Sequence, residues 1–150
     1  MESSPARFTW IVLWGLAAVS IIVLCLMLIS PIQDSRGMGL FMLVSGILLF
    51  VLGGLLIYFT RREQVSGLPR VFFILTGASA LGIPVCVVLH NVVYGLFIHF
   101  FGPGFWEGIG LPDEPVFFTL GIVVCPIGLA TGIVGSIVLA RRRAVRPPSA

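Results

Sequence analysis

Four stretches of this chain, Phe8 to Ser30, Met38 to Thr60, Val71 to Phe101 and Val116 to Ala140, contain no Asp, Glu, Lys or Arg. Each is longer than the roughly 18 to 20 apolar residues that a helix needs to cross about 30 Å of hydrocarbon. Inside lipid the backbone must satisfy its own hydrogen bonds, which leaves helices or a closed barrel, and these runs lack the period-two alternation of barrel strands. A soluble bundle is excluded on composition: 58% of residues are hydrophobic and 10% are charged, too few to give every helix a polar outer face. The expected fold is all-α, a polytopic integral membrane protein with four transmembrane helices in an up-down-up-down bundle. The helices are placed at about 8–30, 38–60, 71–97 and 116–140. Residues 1–7 form a short N-terminus, and residues 141–150 a basic tail.

All nine basic residues are arginines, and their distribution sets an orientation. With the N-terminus cytoplasmic, Arg7, Arg61, Arg62, Arg70, Arg141, Arg142, Arg143 and Arg146 fall inside and only Arg36 outside. The acids run the other way, with Asp34, Glu107, Asp113 and Glu114 outside and Glu2 and Glu63 inside. By the positive-inside rule both termini are expected in the cytoplasm, and a chain that inserts in both orientations is disfavoured. The basic balance therefore reads as topology and not as nucleic-acid binding. Arg61, Arg62, Arg141, Arg142, Arg143 and Arg146 are expected to contact anionic lipid headgroups at the inner face of the plasma or inner membrane.

The first run is longer than a signal-peptide core, and Leu28-Ile29-Ser30-Pro31 offers no small-x-small cleavage site, so an uncleaved helix is expected. Three cysteines, Cys25, Cys86 and Cys125, lie within apolar runs at unpaired spacings, which argues against a disulfide framework and suits small buried hydrophobes.

Glycines recur every seven residues in two of the runs, as Gly39, Gly46 and Gly53 and as Gly121, Gly128 and Gly135, with Gly132 and Ser136 added in the last. Seven residues is nearly two helical turns, so each set lines one stripe along which another helix can approach closely. Packing within the chain is favoured over a dimer seam. The second and fourth runs end alike, Tyr58-Phe59-Thr60-Arg61-Arg62 against Leu139-Ala140-Arg141-Arg142, as a two-plus-two duplication would have it, but the rest of the two runs aligns poorly.

The third run would make a helix of about 46 Å, more than the bilayer requires, so it must tilt, bend or emerge. Pro84 and Pro126 are candidate kink sites. From about Ile98 to Pro115 the chain is expected to form an outer loop lying partly in the membrane interface. Asp113-Glu114-Pro115 resembles a helix start, with carboxylates at the positive end of the macrodipole and Pro in the first turn. A sharper possibility makes Glu107, Asp113 and Glu114 a cation-gathering outer surface.

The strongest polar cluster is Cys86, His90, Asn91 and Tyr94 on the third run, since His90 and Tyr94 share one helical face with Cys86 a turn below. Interhelical hydrogen bonding is the plainer role for it, and a proton-accepting or ligand-contacting cavity the sharper one. Haem ligation fails because His99 is nine residues from His90 and thus on the opposite face. Zinc needs about four ligands, and His90 with Cys125 supplies two. No Ser-His-Asp set, HExxH motif or phosphate-cradling glycine loop is present.

No cofactor, metal or catalytic role is expected. The expected function is a structural or accessory one in the lipid bilayer, as a subunit of a larger membrane complex or as an assembly or lipid-contact protein whose glycine seams receive other helices. The alternative is a small homo-oligomeric channel or carrier that uses the polar face of the third helix.

Overall fold

The computed structural model describes residues 7–29, 35–111 and 113–145. They form α1 (Arg7–Ile29), α2 (Ser35–Arg62), α3 (Leu68–Phe101), α4 (Phe105–Gly108), α5 (Pro115–Thr119), a π-helical turn (Leu120–Val124) and α6 (Cys125–Val145). No strand occurs among the described residues. Four helical segments are long and apolar enough to cross a membrane, Arg7–Met27, Gly39–Arg62, Leu68–Phe101 and Pro115–Arg142, so the chain is read as an integral membrane protein. Arg146 and residues 30–34, with Asp34, lie outside the described residues.

The long helix α3 is central, with α2 packed along one side and α6 along the other. Close approaches fix the sense of each pairing. Gly46 faces Pro84 while Gly53 faces Gly77, and Gly121 faces Cys86 while Gly135 faces Phe72, so α3 runs antiparallel to both neighbours. The first helix joins α2 the same way, with Phe8 against Phe59 and Leu13 against Leu56. One apolar cluster unites Leu13, Leu56 and Phe73, flanked by Trp10, Val65 and Ile133. A second unites Leu16, Ala80 and Leu129 with Leu52 and Ile83, so that all four long helices share one interior.

Few large side chains are fully buried, and apolar residues such as Ile11, Leu43, Ile47, Val88 and Ile127 face outward. This inversion is what lipid permits, because acyl chains are as apolar as leucine and helices associate instead through close backbone contact. Buried hydroxyls follow the same logic. Thr60, Thr76, Ser136 and the partly buried Ser20 each donate to the carbonyl four residues earlier, which keeps these hydroxyl hydrogens paired in hydrocarbon.

The turn between α2 and α3 is specified locally. Val65 N–H donates to the Thr60 carbonyl and Gln64 N–H to that of Arg61, the paired bonds of a Schellman end. Gln64 takes the left-handed position at φ 51°, and the following Val65 packs on the first apolar cluster. Gly67 at φ 70° and Pro69 in the first turn then start α3.

Several boundaries differ from the sequence reading. The third helix begins at Leu68 and continues to Phe101, past the expected end at 97, and closes where Gly102, at φ 93°, donates its N–H to the Ile98 carbonyl. Pro84 sits inside this single helix. The fourth crossing is composite: α5, the π turn and α6 follow without a break to Val145. Pro126 supplies the physical reason for the π turn, since its ring cannot donate and crowds the carbonyl four residues earlier. Widening the preceding turn, with Cys125 N–H donating to the Leu120 carbonyl, relieves that crowding.

Candidate functional site, the polar and aromatic cluster beside His90

After Cys86 no residue of α3 is buried, so its last turns rise along the loop that returns to α5. That loop is a built structure. The four-residue α4 is held against α3 by rings: Phe105 lies 5.0 Å from Phe97, Trp106 5.3 Å from Phe97, and Phe101 5.1 Å from Phe105. Trp106 stacks on Tyr94 at 5.9 Å and 8° between planes, and Tyr94 on His90 at 6.4 Å and 24°. Trp106 is buried, and its indole N–H has no partner among the described residues. Such an unmet donor costs about 1 to 3 kcal/mol.

His90 and the loop acids, two separate features of the sequence, meet here. His90 Nε2 lies 3.4 Å from Asp113 Oδ2, and Nδ1 faces the Glu114 carbonyl at 3.2 Å and its Oε2 at 3.4 Å. Both ring nitrogens thus face carboxylate or carbonyl oxygens of the loop. Glu114 is 3% exposed and caps α5, with Oε1 accepting from Val116 N–H at 2.8 Å and Oε2 from Phe117 N–H at 2.9 Å. Asp113 Oδ1 accepts from Glu114 N–H at 2.7 Å. The carboxylates are therefore held by backbone donors, by the positive end of the helix and by the imidazole.

The other sequence candidates disperse. Asn91 is exposed on α3 and donates to the Val87 carbonyl of its own helix at 2.7 Å. Cys86 is buried against Gly121, and its thiol is a neighbour of Cys125, which packs on Gly82. Glu107 is exposed on α4. Among the described residues, no three of His, Cys, Asp and Glu sit where they could hold a metal ion.

The glycine stripes lie between helices, with one exception. Gly53 faces the Gly77 carbonyl, Gly128 faces Ser79, Gly132 faces Thr76 and the Phe72 carbonyl, and Gly135 faces the Phe72 ring. Gly39 has nothing within 4 Å.

At the opposite end a contact unforeseen from sequence joins α1 to the turn after α2. Glu63 accepts from Phe8 N–H at 3.0 Å, Thr9 N–H at 3.1 Å and the Thr9 hydroxyl at 2.6 Å, so it caps α1 from 54 residues away. Partial burial pushes its carboxyl up. The hydrogen bonds from Thr9 and Phe8, with the charge of Arg62, outweigh burial and hold it below the ordinary 4.5. The available signal was slight, an acid among arginines and a Thr at a helix start. Arg61, Arg62, Arg141 and Arg142 are exposed at this same end, and Arg143 lies in α6. No protein-family model matches the chain, and no curated protein or solved structure is significantly similar to it.

Proposed function

We propose that this chain is a small multi-pass membrane protein of structural or accessory type, with its helices crossing up-down-up-down and both termini in the cytoplasm. The proposal assigns it no catalytic step. It rests on one observation above others: the polar cluster at His90, Asn91 and Tyr94 of α3 makes its contacts within the chain, while His99 further along is exposed. His90 is engaged by Asp113 and Glu114, Tyr94 is sandwiched between His90 and Trp106, and Asn91 and Thr76 bond to their own helix. The glycine seams are also largely filled by α3, so a partner helix would meet the apolar outer faces of α1 and α2. Orientation draws on the arginines at the Glu63 end, which favour a plasma or inner membrane with that end against anionic headgroups.

Native mass spectrometry of the protein, gently solubilised from its own membrane, tests the role. A fixed ratio to larger membrane subunits is expected, and a pure homo-oligomer would overturn the accessory reading. The second reading, a small homo-oligomeric channel or carrier, draws on Asp113, whose side chain is paired to His90 yet 43% exposed. Thiol labelling of single cysteines placed at 87, 90, 91 and 94 separates the two. Modification of one face of α3 favours the channel, and uniform protection removes it.

A further inference from the structure

An open groove of about 690 Å³ runs between the start of α3 and the last turns of α6. Leu68 and Phe72 form one wall, Ala130, Val134 and Val138 the other, and Arg142 stands at its mouth. Its chemistry is divided along its length. The deep part is hydrocarbon, with Ala130 and Thr131 at its inner end, and the polar group lies at the end where the arginines gather.

From Thr131 to Arg142 a helix rises about 16 Å, close to the thickness of one leaflet of a 30 Å hydrocarbon core. A groove of that length, apolar apart from Thr131 at its inner end and cationic at its mouth, matches one acyl chain with a phosphate at its head. Charge complementarity supports an anionic occupant. Among the described residues no carboxylate pairs with Arg142, and the one described acid of this end, Glu63, is spent on the N-terminus of α1.

We infer that the groove between α3 and α6 binds one anionic phospholipid, with an acyl chain along Ala130, Val134 and Val138 and its phosphate on Arg142. The inference needs the chain to sit in a bilayer but does not depend on the accessory role. It goes beyond diffuse attraction of arginines to a charged surface, because it separates Arg142, which lines the groove, from its neighbour Arg141, which does not.

The test is native mass spectrometry of the full chain released from nanodiscs containing equal amounts of phosphatidylglycerol and phosphatidylcholine. One phosphatidylglycerol is expected to be retained per chain. R142Q should lower the retained ratio of phosphatidylglycerol to phosphatidylcholine about five-fold, the factor a single near-surface arginine supplies. R141Q, with the same net charge, should leave that ratio nearly unchanged. A130F, which fills the deep end from an exposed position, should reduce retention of both lipids, and V138F serves the same purpose if A130F does not fold. Equal losses in R141Q and R142Q would reduce the effect to surface charge and overturn the site. So would a dimer abolished by A130F, which would put a second copy in the groove, or lipid retention indifferent to every change.

Discussion

Glu63 is the one acid among the described residues of an end that carries Arg7, Arg61, Arg62, Arg70, Arg141 and Arg142. Its carboxylate is nevertheless committed to backbone and hydroxyl donors of α1. Loss of a helix cap costs about 1 kcal/mol, so Glu63→Ala should lower unfolding stability in mixed micelles by about that amount. Because the folded carboxyl is held below its ordinary 4.5, its contribution is complete above that pH and is lost as pH falls through the folded value. Thermal midpoints measured between neutral pH and pH 3 should therefore fall more steeply below about pH 4.5 in the wild type than in Glu63→Gln. Identical acid limbs would show that the cap carries no ionic stabilisation. His90 makes a parallel case at the other end. A double-mutant cycle of His90→Gln and Asp113→Asn should give a coupling of about 0.6 to 1 kcal/mol, the usual size of a side-chain hydrogen bond in a membrane protein. Strictly additive single effects would mean that the 3.4 Å contact holds nothing together.

Helix pairing is decided by small residues, since a backbone can approach only where no side chain intervenes. At Gly132 a methyl group would lie 2.8 Å from the Thr76 nitrogen and 3.0 Å from the Phe72 carbonyl oxygen, and backbone cannot yield as a side chain would. Gly132→Leu should destabilise the protein by about 1 to 3 kcal/mol, as overpacking typically does. Gly39 has open space around it, so Gly39→Ala should be neutral or slightly stabilising. Comparable losses at both positions would sink the assignment of the α6 glycines to the α3 interface. The seven-residue glycine spacing was readable in the sequence because helical period maps it onto a stripe. Its occupant was not readable, since α2, α3 and α6 all carry small faces and any two of them could have met. The π turn shows a similar division. Pro126 announced a disturbance, but a kink and a widened turn relieve the same clash, and the folded chain takes the second, with Gly121 of the widened turn packed on Cys86.

On the scale of the molecule the arginines gather at one end, with Arg61, Arg62, Arg141 and Arg142 exposed near Glu63. If the arginine clusters at the ends of α2 and α6 supply the positive-inside bias, neutralising Arg61, Arg62, Arg141, Arg142 and Arg143 together should produce mixed insertion. Protease accessibility of a terminal tag in sealed vesicles reads this directly. Termini that stay wholly on one side would show that orientation is set elsewhere. The end opposite Glu63 is held differently, by an aromatic layer on α3 and α4 and by the imidazole-carboxylate contact to α5.

The number of long apolar helices, their approximate extents and the loop acids at a helix start were all legible in the chain itself. Each depends on hydropathy summed along a window or on capping rules that act within a few residues. The central place of α3, the union of His90 with Asp113 and Glu114, the stacking of Tyr94 on Trp106 and the capping of α1 by Glu63 were decided by tertiary structure. Those contacts join residues far apart in sequence, and in a chain so uniformly apolar, burial gives no pattern that would select one partner over another. What selects them is shape, the small faces that let backbones close on one another, and hydrogen bonding, which in hydrocarbon leaves few polar groups free to remain unpaired.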